Sequence, residues 1–270
     1  MSTPIYDYET IKYNLCLSIL VYNIENKKFN SERFENVNNL SLINDVYLIV
    51  NNQTINFIFE NKLELLCSIF IDHDKKSINI AFKGSDDLND ILKDLKTMKR
   101  CAFKDDNSYI HSGFIDILTN EAIHEDIFKT TTSIIKDLPE YELYITGHSL
   151  GGALSTIFGY YISNKINKNI NIITFGSPRV GDINFYENFN KISNISLLRV
   201  VNDNDIIVSL PKINYYHVGK VLELNELKVD IYDSKDIGYF KNSTLSNYSL
   251  NDHFCLNYYK NLVINNKNLY

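Results

Sequence analysis

Residues 144–155 read YITGHSLGGALS, and Gly147-His148-Ser149-Leu150-Gly151 within them satisfies G-x-S-x-G. The chain has ten glycines, and three of them, Gly147, Gly151 and Gly152, crowd around this one serine. A free serine hydroxyl is a weak nucleophile; it becomes a strong one when a neighbouring base takes its proton. The flanks supply a backbone that could present it. YELYIT (141–146) reads as a buried strand, and in GGALSTIFGYYIS (151–163) Leu154, Ile157, Phe158, Tyr161 and Ile162 form one helical stripe. A strand that passes at once into a helix strains the residue between them, and flanking glycines avoid collisions there. The helix N-terminus behind Ser149 favours negative charge developing in front of it. A plainer reading makes Ser149 the cap of a glycine-eased helix entry. The strand–turn–helix context favours the nucleophile.

Acyl chemistry at such a serine needs a base, a carboxylate that orients the base, and donors aimed at an oxyanion. In this kind of elbow the chain order is serine, acid, histidine. Of six histidines, His217 and His253 follow Ser149. His217 sits inside the strand-like YYHVGKVLEL, where a packed, hydrogen-bonded ring is the ordinary outcome. His253 opens the last helix after a polar loop and is the favoured base. The acid should follow a parallel strand. SLLRVVNDNDIIVSLP ends a strand at Val201 and then offers Asp203 and Asp205. Asp205, set against the apolar IIV, is the better buried carboxylate, whereas Asp203 suits the turn. Asp182 in GSPRVGD reads as a helix N-cap. For the oxyanion, the amide of Leu150 is one donor. Ser85, where the strand in IAFKGSDD (80–87) ends, offers an amide and a hydroxyl for the second.

These groups need a scaffold that brings distant segments to one edge. Helical spacing over 8–22 is followed by an Asn-rich polar connection to about 45. Strand-length apolar runs come next at 46–50, 55–59, 65–71 and 77–82, the pattern of an early hairpin-like sheet. Helices at 88–99 and 114–136 then alternate with a strand at 141–146, a helix at 151–163, a strand at 170–175, a short helix near 183–191 and a strand at 196–201. Later strands fall at 215–223 and 227–232, and a final helix at 253–264. That alternation predicts a mostly parallel α/β sheet flanked by helices, in one domain over 1–270.

Composition narrows the function classes. The net charge is −6 with no basic stripe, which argues against a nucleic-acid surface. No stretch approaches the roughly 20 apolar residues of a membrane span. The N-terminus lacks a basic n-region and a small-residue cleavage site, so the expected location is cytoplasmic rather than secreted. Cys16, Cys67, Cys101 and Cys255 have no zinc spacing and read as buried free thiols. No metal and no organic cofactor is called for, and oligomeric state is not legible.

Several separated segments resemble one family. AFKGSDDLNDILKDL, IHSGF, ITGHSLGGALS, FGSPRVGD, RVVNDNDIIVSLP and DHF followed by tyrosines are similar to the class 3 lipases, the fungal-type triacylglycerol lipases of the α/β-hydrolase fold. The likeness runs over roughly residues 80–260; the first 75 residues share only the layout. It implies Ser149 as nucleophile, Asp205 as acid and His253 as base, with Ser85 and Leu150 as oxyanion donors. The family commonly has Trp where Ile91 stands and Arg where Lys83 stands.

The resemblance also implies a short helical lid near 85–100. LNDILKDLKTMKR (88–100) puts Leu88, Ile91, Leu92, Leu95 and Met98 on one face, suited to rest on acyl chains. A plain surface helix has the same periodicity. The activity expected is hydrolysis of glycerolipid esters at a membrane or droplet surface, with triacylglycerol as first substrate and phospholipid, diacylglycerol or monoacylglycerol as alternatives. Two rivals stand beside it. HSGFID (111–116) fits the H-x-x-x-x-D pattern of glycerolipid acyltransferases, and a silent hydrolase scaffold could bind a lipid or a protein.

Overall fold

The computed structural model describes residues 7–25, 28–29, 39–52, 54–60, 65–87, 100–102, 107–202, 204–224, 229–233 and 249–264. Helix α1 (Tyr8–Leu20) starts where the Asp7 carboxylate accepts the Thr10 N–H at 2.8 Å. A 3₁₀ turn, Val21–Asn23, leads into the short antiparallel pair β1 (Ile24–Glu25) and β2 (Lys28–Phe29).

The next element corrects a sequence expectation. The run VYLIV (46–50) reads as a strand but belongs to helix α2 (Leu40–Asn52). Leu42, Val46 and Ile49 are buried while Leu48 is exposed, which is helical spacing. Asn39 caps this helix, its side-chain oxygen accepting the Leu42 N–H at 3.1 Å. A five-residue apolar run is too short for periodicity alone to decide.

One eight-stranded sheet organises the rest. Strands β3 (Thr54–Glu60), β4 (Leu65–Asp72) and β5 (Ser77–Phe82) form an antiparallel meander at one side. The small pair β6 (Arg100–Ala102) and β7 (Tyr109–His111) lies apart from it. Helices α3 (Ser112–Thr119) and α4 (Ile123–Asp137) lead to β8 (Glu142–His148), α5 (Leu150–Ile162) and β9 (Ile170–Phe175). After α6 (Ile183–Asn190) come β10 (Ile195–Asn202), β11 (Lys220–Leu224), β12 (Val229–Asp233) and finally α7 (Cys255–Ile264). The strand order is β12-β11-β10-β9-β8-β5-β4-β3, with β5, β8, β9, β10 and β11 parallel and β12 antiparallel at the edge. Among the described residues no helix is long and apolar enough to cross a membrane.

Alternation along the strands feeds two cores. Ile80, Leu143, Ile145, Ile170 and Ile172 pack under Leu154, Ile157 and Phe158 of α5. On the other face, Ile173, Phe175, Leu198 and Val200 pack against Ile11 and Leu15 of α1 and Tyr258 of α7. The side chains that could react stand at the carboxyl ends of the parallel strands, the edge to which such sheets direct their sites.

Two further expectations are revised. The helix expected over 114–136 is broken at Asn120–Ala122, where Glu121 and Ala122 both have positive φ. The apolar stripe explains the break. From Leu118 to Ile123 a continuous helix would turn about 140° out of phase, and the interruption returns Ile123, Ile127 and Ile134 to the core that Phe114 and Leu118 face. The strand expected over 215–223 starts only at Lys220, because Gly219 takes φ of 75° and turns the chain onto the sheet.

Candidate active site

Strand β8 ends beside β5 and β9, and the chain reverses into α5 through Ser149. This residue takes φ 59° and ψ −126°, a conformation that costs energy for any residue with a side chain. Its amide donates to the Phe175 carbonyl at 2.9 Å, and its own carbonyl accepts the Gly152 N–H at 2.9 Å. Turn and helix are tied to the sheet by those bonds. The glycines make the reversal possible. A Cβ on Gly147 would overlap the Gly151 carbonyl, and a Cβ on Gly151 would overlap the Phe82 carbonyl oxygen of β5. No side chain fits at either place.

The Ser149 hydroxyl lies 2.8 Å from His253 Nε2, and His253 Nδ1 lies 2.8 Å from Asp205 Oδ2. All three residues are fully buried. The carboxylate cannot donate when ionised, so Nδ1 carries the proton and Nε2 presents its lone pair to the hydroxyl. Asp205 follows β10, in the loop where the sequence argument put the acid, and two more donors fix it. Oδ1 accepts the Ile207 N–H at 2.8 Å, and Oδ2 accepts the Tyr258 hydroxyl at 2.6 Å. Burial and the nearby Asp205 charge push the Tyr258 hydroxyl well up, so it remains a donor.

Gly176, at the end of β9, completes the fit with φ of 60°. A Cβ there would sit 2.9 Å from Asp205 Oδ2 and 3.1 Å from His253 Cε1. Neither Tyr258 nor Gly176 was singled out by sequence reasoning. A tyrosine one helical turn and a half after the histidine, and a glycine directly after a parallel strand, are the signals that point to them.

The remaining candidates separate cleanly. His217 donates from Nε2 to the Val208 carbonyl at 2.8 Å and so braces the loop after Asp205. Asp182 caps α6 through the Phe185 N–H at 2.9 Å, as its position suggested. Asp203 lies outside the described residues. Ser85 follows Gly84, which abuts the elbow: a Cβ on Gly84 would lie 2.7 Å from the His148 carbonyl oxygen. The Ser85 hydroxyl donates to the Asp87 carbonyl at 3.2 Å. Leu150 is the first residue of α5, where amides have no intrahelical acceptor. The pattern HSGFID does not assemble, because His111 is buried while Asp116 is exposed. The lid residues Leu88, Ile91, Leu92, Leu95 and Met98 lie outside the described residues. Among the described residues, no group of three or more His, Cys, Asp or Glu side chains is arranged to hold a metal ion. Cys16, Cys67 and Cys255 carry free thiols.

The family profile named lipase (class 3) matches residues 79–215, half of the chain. The chain belongs to the class 3 lipases. The matched segment of this class 3 lipase chain includes Ser85, Ser149, Leu150 and Asp205, whereas His253 lies beyond it. A curated relative, phospholipase A1-IIalpha of Arabidopsis thaliana, is 33% identical over 146 residues, covering 45% of this chain and 34% of the relative. The lipase of Rhizomucor miehei is 29% identical over 152 residues, covering 54% and 41%. The chain thus spans well under half the length of these relatives. Among solved structures, a lipase from Rhizopus microsporus var. chinensis superposes with a TM-score of 0.72 at 20% identity, covering 91% of this chain and 85% of that one. The fold is the α/β-hydrolase fold.

Two imidazoles, His148 buried and His217 partly buried, set an acid-side stability limit. Burial pushes His148 well below the usual histidine value, and the neighbouring His253 adds to it. Burial, Arg199 and Arg179 do the same to His217. Between their depressed folded values and the ordinary value near 6.5, the unfolded chain binds protons that the folded chain refuses. The contribution of these two rings to stability therefore rises with pH up to about 6.5 and is level above it, with a slope of up to about 1.4 kcal/mol per pH unit for each ring below that point. Melting temperature followed from pH 7.5 down to 5 should fall on the acid side, and His217→Gln should flatten the fall. An unchanged slope in that variant would mean that His217 titrates normally in the folded protein.

Proposed function

We propose that this chain is a serine carboxylic ester hydrolase acting on glycerolipid esters, with triacylglycerol as the first substrate class. One observation carries the reading: an unbroken line of 2.8 Å bonds from Ser149 through His253 to Asp205, at a serine in the strained elbow conformation. Membership of the class 3 lipases supports the substrate class.

Ser149 Oγ attacks the ester carbonyl carbon as its proton moves to His253 Nε2. Asp205 stabilises the imidazolium through Nδ1–H, and Tyr258 with the Ile207 amide keeps that carboxylate in one orientation. The oxyanion of the tetrahedral intermediate is held by the Leu150 and Ser85 amides. Collapse breaks the bond to the alcohol, which leaves with the proton from His253. A water molecule then gives its proton to His253, attacks the acyl carbon, and releases the fatty acid with Ser149 restored.

Relatives named phospholipase A1 favour phospholipid as a second reading. A fluorophosphonate probe applied to wild type and Ser149→Ala tests the chemistry, and label on the wild type alone is the expected result. Equal labelling of both, or of neither, rejects it. Triacylglycerol emulsion and phosphatidylcholine vesicles, assayed side by side for fatty acid, decide between the two substrates.

A further inference from the structure

We propose that Tyr22 and His148 are positioning residues, which hydrogen-bond the elbow to the His253 loop and hold the Gly84–Ser85 loop packed against them. The inference rests on the ester-hydrolase reading and concerns two side chains outside the serine–histidine–aspartate line. Tyr22 also lies outside the segment matched by the family profile.

The polarity of the chain follows from its ends. His148 Nε2 lies 2.6 Å from the His253 main-chain oxygen. A carbonyl only accepts, so Nε2 carries a proton. His148 Nδ1 lies 3.1 Å from the Tyr22 hydroxyl. Burial keeps that ring neutral and keeps the Tyr22 hydroxyl protonated, so Tyr22 donates to the Nδ1 lone pair. The Tyr22 hydroxyl also sits directly against Gly84. A polar line thus runs from Tyr22, seated against Gly84 of the oxyanion loop, through His148 to the backbone that carries His253.

Packing reinforces it. The His148 and His253 ring centroids are 4.6 Å apart at 38°, and Tyr258 meets His148 edge-on at 5.8 Å. Gly84 leaves room for the tyrosine, since a Cβ there would fall on the Tyr22 hydroxyl. Tyr22 reaches this place from the 3₁₀ turn after α1, whose Ile11 and Leu15 anchor it on the sheet. The arrangement matters because the base and the oxyanion donors sit on three separate loops. A displacement of a fraction of an ångström between them is costly in rate. Neutrality matters too, because a charged ring at His148 would oppose the imidazolium that forms on His253.

Three variants test the idea: Tyr22→Phe, His148→Gln and His148→Leu. Gln can still donate to the His253 carbonyl, Leu cannot, and Phe removes only the tyrosine hydroxyl. The readouts are kcat and KM for a soluble p-nitrophenyl ester, fluorophosphonate labelling rate, and melting temperature. Expected are a kcat about tenfold lower in Tyr22→Phe with KM within about twofold, and about a hundredfold lower in His148→Leu, with Gln recovering about tenfold over Leu. Adding Tyr22→Phe to His148→Leu should cost less than about threefold more, because the line is already cut. Wild-type kcat in Tyr22→Phe and His148→Gln, or a double variant whose loss is the product of the single losses, overturns the proposal. If melting shows that His148→Leu does not fold, the other two variants decide, with the double variant built on His148→Gln. A wild type that neither hydrolyses the ester nor takes the probe overturns the ester-hydrolase reading instead, and this one with it.

Discussion

Ser149→Ala is expected to lower kcat for ester hydrolysis by about 10⁴- to 10⁶-fold, with the melting temperature little changed. In the proposed mechanism the hydroxyl oxygen forms the acyl bond, and alanine keeps the elbow while removing it. Asp205→Asn should cost about 10⁴-fold for a different reason. The carboxylate accepts three donors: the Ile207 amide, His253 Nδ1–H and the Tyr258 hydroxyl. An asparagine has one oxygen and one NH₂ group. With its oxygen toward Ile207, the NH₂ faces His253, which must then move its proton to Nε2 and point a donor at Ser149. With its oxygen toward His253, the NH₂ meets the Ile207 N–H with nothing to accept it. The first arrangement removes the base and the second leaves a buried clash, so both lower the rate. Adding His253→Ala to Ser149→Ala should cost little more, because the residues act as a unit. Steady-state kinetics on one soluble ester measures all of these, and an Asp205→Asn enzyme within tenfold of wild type would remove Asp205 from the mechanism.

Gly151→Ala is expected to lower activity by about a hundredfold without touching a reacting group. Its Cβ would overlap the Phe82 carbonyl oxygen and lie 2.9 Å from the carbonyl carbon, both main-chain atoms of a central strand. Strand and helix must separate, and Ser149 and the Leu150 amide move with the helix. A shift near 1 Å costs on the order of 10²-fold in rate, and overpacking of this kind costs about 1–3 kcal/mol of stability. Gly159→Ala is the matched control on the same helix. There the new methyl would press on Ile172 Cδ1, the movable end of a side chain. Activity should stay within about threefold of wild type, because a rotamer change in the core does not reach the helix N-terminus. Equal losses in the two variants would show that helix stability, and not the contact between elbow and β5, controls the site.

Much of this site is legible in the sequence, for local reasons. The elbow announces itself because strand, turn and helix must follow one another within a dozen residues, and only small residues fit the reversal. Chain order and strand ends point to Asp205 and His253, because both are properties of a parallel sheet whose carboxyl ends lie at one edge, and the fold brings the two within 2.8 Å of each other. Asp182 was read as a cap from the same short-range logic, and Asn39 could have been, which would have turned VYLIV from a strand into a helix. The break between Leu118 and Ile123 was also present as a phase slip in the apolar spacing.

Other features belong to no stretch of sequence. Tyr22 and His148 are 126 residues apart, and nothing around Tyr22 indicates that its hydroxyl will meet an imidazole. Gly176 looks like any strand-ending glycine until Asp205 and His253 are packed against it. The sequence favours His253 over His217 but does not say which partner each ring takes; the fold sends His217 to the Val208 carbonyl and His253 to Ser149.

Short-range order in the chain therefore determined which residue would be lifted out of the sheet, and in what order its partners would follow. Only the folded molecule decided which side chains complete the hydrogen bonds around them. Backbone strain and helix phase are set by neighbours a few residues away, whereas a buried donor finds its acceptor only once two cores have closed over the same sheet.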